Sequence, residues 1–113
     1  MKLVALAVIV AALAVPSAFA STPTLIGTVG PGFTITLTQG GKKVSKLKAG
    51  KYVIKVADKA TNHDFHLKGP GVDKKTSVGT KSNVTWTVTL KAGKYTYVCD
   101  PHASFMKGSF TVS

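Results

Sequence analysis

The segment from Cys99 to Met106 carries three side chains that together can bind a soft metal ion. Cys99 is the only cysteine of the chain, His102 follows three residues later, and Met106 follows four residues after that. Thiolate, imidazole and thioether groups suit copper, and one cysteine, two histidines and a weak axial methionine form the ligand set of blue-copper electron-transfer sites. A second histidine must therefore come from elsewhere, and the chain offers His63 and His66.

Strand parity distinguishes these two upstream histidines. Phe65 and Leu67 form the apolar alternation of their segment, so His63 shares the apolar face and His66 points the other way. Only an inward-facing residue can meet the cysteine loop between two sheets. We therefore predict that His63 is the ligand and that His66 is a surface or edge histidine with a structural or solvated role.

The elements that must position these ligands are β-strands. Apolar residues alternate with polar ones in segment after segment, and no stretch shows a 3.6-residue apolar period over helical length. Turn signals rich in glycine and proline separate the segments. About seven to eight short strands at this spacing predict an all-β, antiparallel Greek-key β-sandwich. The alternating apolar sets are Phe33, Ile35 and Leu37; Tyr52, Ile54 and Val56; Val84, Trp86, Val88 and Leu90; Tyr95, Tyr97 and Cys99; and Phe110 and Val112.

One hexapeptide, Leu-Lys-Ala-Gly-Lys-Tyr, occurs twice, ending at Tyr52 and at Tyr95. Two copies do not make a repeat architecture, so we interpret them as two similar turns that enter strands. Tyr95 is a candidate for a tyrosine corner, in which the hydroxyl group bonds to the backbone upstream.

Residues 1–20 are predicted to be a secretory signal peptide and residues 21–113 a single copper-binding domain. Lys2 supplies the positive charge, residues 3–15 form an apolar run, and Ala18-Phe19-Ala20 has the small-x-small pattern of a cleavage site. The run is short for a membrane span, which needs about 20 apolar residues. We therefore expect an exported protein, periplasmic or secreted, without stable membrane insertion after the signal is removed.

The chain is strongly basic, and this bears on its partners. It has 15 lysines, no arginine and four aspartates as its only acidic residues, with a formal net charge of +11. Nucleic acid is not an expected partner for an exported domain that lacks arginine, the residue that reads guanine edges and phosphates. We expect a monomer and a redox partner with an acidic docking surface, because opposite charge raises association rates.

The mature sequence resembles the cupredoxin family of type 1 copper proteins, in particular its plastocyanin, amicyanin and pseudoazurin branch. The resemblance covers essentially the whole mature chain. It implies that His63, Cys99 and His102 are equatorial ligands of one Cu(I)/Cu(II) ion and that Met106 is the axial ligand. It rests on Lys48-Ala49-Gly50 before a strand, His63-Asp64 where the family usually has His-Asn, the Ala-Gly-x-Tyr-x-Tyr-x-Cys run that ends at Cys99, and Cys-x-Pro-His followed by Met.

Two departures from the family pattern affect the site. Three residues separate His102 from Met106, whereas the plastocyanin loop has four and the amicyanin loop two, which leaves the axial distance and the reduction potential open. Asp64 keeps the side-chain acceptor of the usual asparagine. If it is ionised, its charge would favour Cu(II) and lower the potential, because groups around the ligands tune the metal.

The predicted function is a soluble one-electron carrier in the cell envelope. The electron would pass through the exposed edge of His102, which Pro101, Ala103 and Phe105 surround. An enzyme is not expected, because three histidines leave too few ligands for a second, oxygen-activating copper centre.

Three alternatives stay open at this point. The first is a copper-binding or copper-delivery module without redox turnover. The second is a structural zinc site with Asp64 or Asp100 as the fourth ligand in place of Met106. The third is an immunoglobulin-like structural domain whose cysteine and histidines are incidental.

Overall fold

The computed structural model describes residues 21–113. The predicted signal peptide, residues 1–20, lies outside the described residues. Among the residues described, no helix is long and apolar enough to cross a bilayer.

The described chain forms ten β-strands and one short 3₁₀ turn. Eight of the strands have four or more residues, which corresponds to the seven to eight predicted, and two have only two residues. In chain order they are β1 (Thr24–Val29), β2 (Ile35–Gln39), β3 (Lys42–Lys43), β4 (Lys46–Leu47), β5 (Gly50–Asp58), β6 (His66–Gly69), β7 (Val72–Lys75), β8 (Ser82–Leu90), β9 (Gly93–Val98) and β10 (Lys107–Val112), and the 3₁₀ turn spans Asp100–His102.

The strands build two five-stranded sheets around one core, and the predicted all-β sandwich is confirmed. One sheet has the order β3-β2-β1-β5-β8 and the other β4-β10-β9-β6-β7. Most neighbours are antiparallel, but β1 pairs with β5 and β4 pairs with β10 in parallel. These two parallel pairs join strands that are distant in sequence, so alternation alone does not predict them.

Aromatic side chains fill the core beneath the metal-binding segment. Phe65 stacks on Tyr97 with ring centroids 5.6 Å apart, and Tyr95 stacks on Phe110 at 5.2 Å. All four rings are buried, and buried aromatic pairs of this kind add about 0.5–1.5 kcal/mol beyond their buried area. Because Tyr95 and Tyr97 point inward, Cys99 continues the same face just beyond the end of β9.

The two copies of the hexapeptide form equivalent corners. The Tyr52 hydroxyl donates to the carbonyl of Lys48 at 2.7 Å. The Tyr95 hydroxyl lies 3.0 Å from the equivalent carbonyl, that of Lys91, and 3.1 Å from the carbonyl of Pro70, and it accepts the Lys91 N–H at 2.9 Å. The predicted tyrosine corner at Tyr95 is therefore confirmed, and Tyr52 repeats it with one bond.

Phe33 departs from its predicted place in the core. Alternation puts it on one face with Ile35 and Leu37, but β2 begins only at Ile35, and Phe33 is 62% exposed. The tight turn before it is the cause: the Gly30 N–H donates to the Thr34 carbonyl, and the Thr34 N–H donates to the Gly32 carbonyl. Gly30 has a φ of 74°, a backbone conformation that glycine adopts without steric cost.

Candidate metal centre

Backbone hydrogen bonds hold Cys99 at the end of β9. Its N–H donates to the carbonyl of Met106 at 3.0 Å, and its own carbonyl accepts the N–H of His102 at 3.0 Å. The residue is buried and its thiol forms no disulfide. The sulfur is thus fixed between the sheets.

The segment after Cys99 turns back on itself and brings His102 and Met106 to the same end of the sandwich. Pro101 lies inside the 3₁₀ turn, where its fixed φ stiffens the loop. The carbonyl of His102 accepts the N–H groups of Phe105 at 3.1 Å and Met106 at 2.9 Å. Met106 is only 1% exposed, so its thioether lies in the protein interior.

His63 reaches the cysteine from the segment before β6, the strand next to β9 in the same sheet. It precedes β6 and is not itself in a strand. The Sγ atom of Cys99 lies 3.6 Å from His63 Nδ1 and 3.6 Å from His102 Nδ1. The three donor atoms lie within 4.8 Å of one another, so one metal ion can bind all three.

Burial differs among the donors and affects their chemistry. His63 and Cys99 have no exposed surface, and His63 Nε2 has no hydrogen-bond partner, whereas His102 is partly exposed. Burial raises the pKa of the Cys99 thiol, and backbone hydrogen bonds from Asp64 and His102 oppose that rise. A bound cation favours the thiolate over the thiol, because metal coordination deprotonates a cysteine.

Asp64 connects the two halves of the site. Its Oδ1 atom accepts the N–H of Asp100 at 2.6 Å, which ties the segment of His63 to the loop of Cys99. The residue is 1% exposed. Burial, followed by the neighbouring Asp100 carboxyl, raises its pKa to about 6.

His66 lies outside the group of donors formed by Cys99, His63 and His102. Its Nδ1 atom is 2.9 and 3.1 Å from the two carboxylate oxygens of Asp100, and its Nε2 atom is 2.6 Å from Asp73. Burial alone would lower the pKa of His66, but the hydrogen bonds to Asp73 and Asp100 outweigh it, so the pKa is raised. The predicted surface or edge position is therefore not what the structure shows, because His66 lies on the inner strand β6 with a side chain only 13% exposed, between two carboxylates.

Phe33 is a site residue that sequence reasoning assigned to the core. Its ring centroid lies 5.1 Å from that of His102, 5.5 Å from that of His63 and 5.9 Å from that of Phe105. Phe105 is 59% exposed, so the two phenylalanines form an apolar rim beside the partly exposed histidine. The Gly-Pro-Gly turn before Phe33 is the sequence signal that points to this position outside the strand.

Comparisons with known proteins identify the family of this chain. A family model described as the cupredoxin-like domain matches residues 3–112, and the chain belongs to this family. No curated protein matches the sequence.

Solved structures that are similar to this chain include rusticyanin and amicyanin. A methionine-to-glutamine variant of rusticyanin superposes with a TM-score of 0.59 at 22% identity, covering 84% of this chain and 80% of its own. Rusticyanin from Thiobacillus ferrooxidans gives 0.54 at 24% identity, covering 84% and 79%. The Cu(I) form of an amicyanin variant gives 0.52 at 17% identity, covering 86% and 89%. These likenesses show a shared fold.

The donor set fits one type 1 copper ion. A buried cysteine sulfur and two imidazole nitrogens at equal distance from it correspond to the trigonal His₂Cys arrangement. Met106, buried in the same loop, carries the thioether that such a site uses as its weak axial group. Zinc in structural sites prefers four strong donors, and neither carboxylate near the site belongs to the group of Cys99, His63 and His102.

Proposed function

We propose that the protein is a soluble one-electron carrier. His63, Cys99 and His102 would be the equatorial ligands of its copper ion, and Met106 the axial ligand. The observation that carries the proposal is the convergence of the Cys99 sulfur and two Nδ1 atoms, each 3.6 Å from the sulfur. The bound copper would supply the redox chemistry by alternating between Cu(I) and Cu(II).

The protein itself would contribute a rigid site. In the ligand loop, the segment from Cys99 to Met106, the N–H and the carbonyl of Cys99 both form hydrogen bonds. The carbonyl of His102 and the N–H of Met106 do so as well. Asp64 links this loop to the His63 segment. Ligands held in this way need to move little when the charge on the metal changes, which favours fast electron transfer.

His102 is the proposed route for the electron. It is the partly exposed member of a ligand set whose other members are almost fully buried. The exposed rings of Phe33 and Phe105 flank it. A partner could bury this apolar rim and approach the copper within an interface below about 1,200 Å², the size typical of transient redox encounters.

Copper loading tests the proposal. Mature protein with one equivalent of Cu(II) should develop an intense thiolate-to-copper absorption band and lose it reversibly on reduction. Cys99→Ser should bind copper without that band, whereas Ser104→Ala, an exposed position in the same loop, should keep it. A colourless copper complex of the unaltered protein, or a band that survives Cys99→Ser, would contradict the proposal.

We further propose that the protein is exported and works in the periplasm or outside the cell with a partner that has an acidic surface. The support is the pattern of residues 1–20 and the formal net charge of +11. Fractionation of expressing cells should place the chain outside the cytoplasm, and mass spectrometry should find Ser21 at its N-terminus. A full-length chain in the cytoplasmic fraction would refute export.

A further inference from the structure

A second group of donor atoms lies beside the copper site. The chain has four acidic residues, and three of them, Asp64, Asp73 and Asp100, gather around His66. Among the described residues, none of these three carboxylates forms an ion pair with a lysine. In a protein with 15 lysines, the ionic partner of Asp73 and Asp100 is instead the His66 ring, at 2.6 and 2.9 Å.

The donor atoms are close enough to share one cation. One atom each from Asp64, His66 and Asp100 lies within 4.8 Å of the other two. The Oδ1 atom of Asp64 also accepts the Asp100 N–H at 2.6 Å, which holds the two residues side by side. Carboxylate oxygens are acceptors, so a cation placed among these atoms would bind to both side chains.

An independent observation is the second oxygen of Asp64. Its Oδ1 atom accepts the Asp100 N–H, but Oδ2 is buried and has no hydrogen-bond partner. Leaving a buried charged acceptor unsatisfied costs free energy. A cation between Asp64 and Asp100 would satisfy this oxygen.

Asp73 orients the His66 ring so that it can bind a cation. Its Oδ1 atom lies 2.6 Å from His66 Nε2, which directs Nδ1 toward Asp100. Metal-binding histidines commonly donate their other ring N–H to a carboxylate in this way, and the contact fixes the tautomer and the ring orientation.

We propose that Asp64, His66 and Asp100 form a second metal site for a divalent cation of the zinc class, separate from the copper site, with Asp73 as a positioning residue. One imidazole and two carboxylates are ligands that zinc accepts, and a water molecule would complete four-coordination. Asp100 is exposed, so the cation can enter from solvent.

The two sites would be coupled. Asp64 follows His63 and Asp100 follows Cys99 in the chain, so a divalent cation here would add positive charge close to two proposed copper ligands. That charge favours Cu(I) over Cu(II) and raises the reduction potential. By linkage, the reduced protein would bind zinc more tightly than the oxidised protein.

Calorimetric titration of the copper-loaded mature protein with Zn²⁺ tests the site. We expect one further equivalent to bind while the thiolate-to-copper band keeps its intensity. Asp73→Asn should weaken this binding roughly 10-fold, because loss of an orienting partner costs roughly 10–100-fold in affinity. His66→Gln should weaken it more, because it removes a ligand. Lys74→Gln, a neighbouring exposed position, should leave it unchanged.

Two outcomes would overturn the second site: no additional equivalent of Zn²⁺, or an additional equivalent that His66→Gln does not weaken. Asp100→Asn provides a second test if His66→Gln does not fold. Cys99→Ser, which removes the copper–thiolate bond, should still bind Zn²⁺ with one equivalent that His66→Gln weakens. The second site can therefore be judged even if the copper proposal fails.

Discussion

His63 and His66 are three residues apart but have different environments. His63 is fully buried with Nδ1 at 3.6 Å from the cysteine sulfur, whereas His66 is held between Asp73 and Asp100. We expect His63→Ala to abolish the thiolate-to-copper band because it removes an equatorial donor. His66→Ala should keep the band, with a Cu:protein ratio of one by absorption titration. The opposite pattern would refute the assignment of His63.

Strand parity explains only part of the inward position of His63. Parity assumes an extended strand, but residues 63–65 precede β6, and Asp64 is buried as well as His63 and Phe65. The close approach of Gly30 contributes instead, since a Cβ atom there would lie 3.1 Å from the His63 ring. Such a contact joins residues distant in sequence, so a local pattern cannot reveal it.

The residue types of the site could nevertheless be predicted, because copper demands particular donors. The sequence predicts the cysteine, its histidine and its methionine as one loop, and the structure closes that loop with four backbone hydrogen bonds. The sequence does not predict the cluster at His66. Its carboxylates come from Asp64, Asp73 and Asp100, and only folding brings β6, β7 and the ligand loop together.

At the scale of elements, the two hexapeptide corners allow a matched comparison. The Tyr95 hydroxyl contacts three backbone groups of Lys91 and Pro70, whereas the Tyr52 hydroxyl contacts only the Lys48 carbonyl. Tyr95→Phe leaves part-buried backbone groups without partners, so it should lower the free energy of unfolding by about 1–3 kcal/mol. Tyr52→Phe should cost less, about 0.5–1.5 kcal/mol.

Urea denaturation of both variants measures these differences. Equal losses would mean that the additional contacts of Tyr95 contribute nothing, and a larger loss for Tyr52→Phe would contradict the interpretation. The copper band serves as a control, because neither hydroxyl touches a proposed ligand and both variants should keep it.

The alternation of apolar residues predicts the longer strands well and the strand ends poorly. β5, β8 and β9 follow the predicted inward faces, with Tyr52, Ile54, Leu90 and Tyr95 buried. Phe33 fits the same period but lies outside β2. The hydrogen bonds of the preceding turn involve Thr34, so the strand begins only at Ile35. Periodicity describes a strand once it exists and does not show where its hydrogen-bonded ladder begins.

At the scale of the whole molecule, charge is less evenly distributed than the sequence suggests. The lysines are spread along the chain, but three of them, Lys43, Lys94 and Lys107, line a cleft of about 440 Å³ on the face of β9 and β10. Lys107 directly follows Met106, so one end of this cleft lies next to the proposed copper site. A cleft lined by charges of one sign focuses the field and attracts counter-charged reactants.

The cleft leads to a prediction about electron-transfer rates. The triple variant Lys43→Gln, Lys94→Gln and Lys107→Gln should slow reduction of the Cu(II) protein by hexacyanoferrate(II), an anionic reductant, by roughly 10-fold at low ionic strength, because steering contributes about 10 to 10³-fold. The difference should shrink as added salt screens the charges beyond about 10 Å.

A control must separate this local effect from the loss of net charge. The variant with Lys51→Gln, Lys55→Gln and Lys81→Gln removes the same number of exposed lysines away from the cleft, and it should slow the reaction much less. Stopped-flow rates with the cationic reductant hexaammineruthenium(II) should rise in the cleft variant, because the same field repels that ion. Equal slowing of the anionic reaction in both triple variants would show that only total charge matters, and the cleft would then have no steering role.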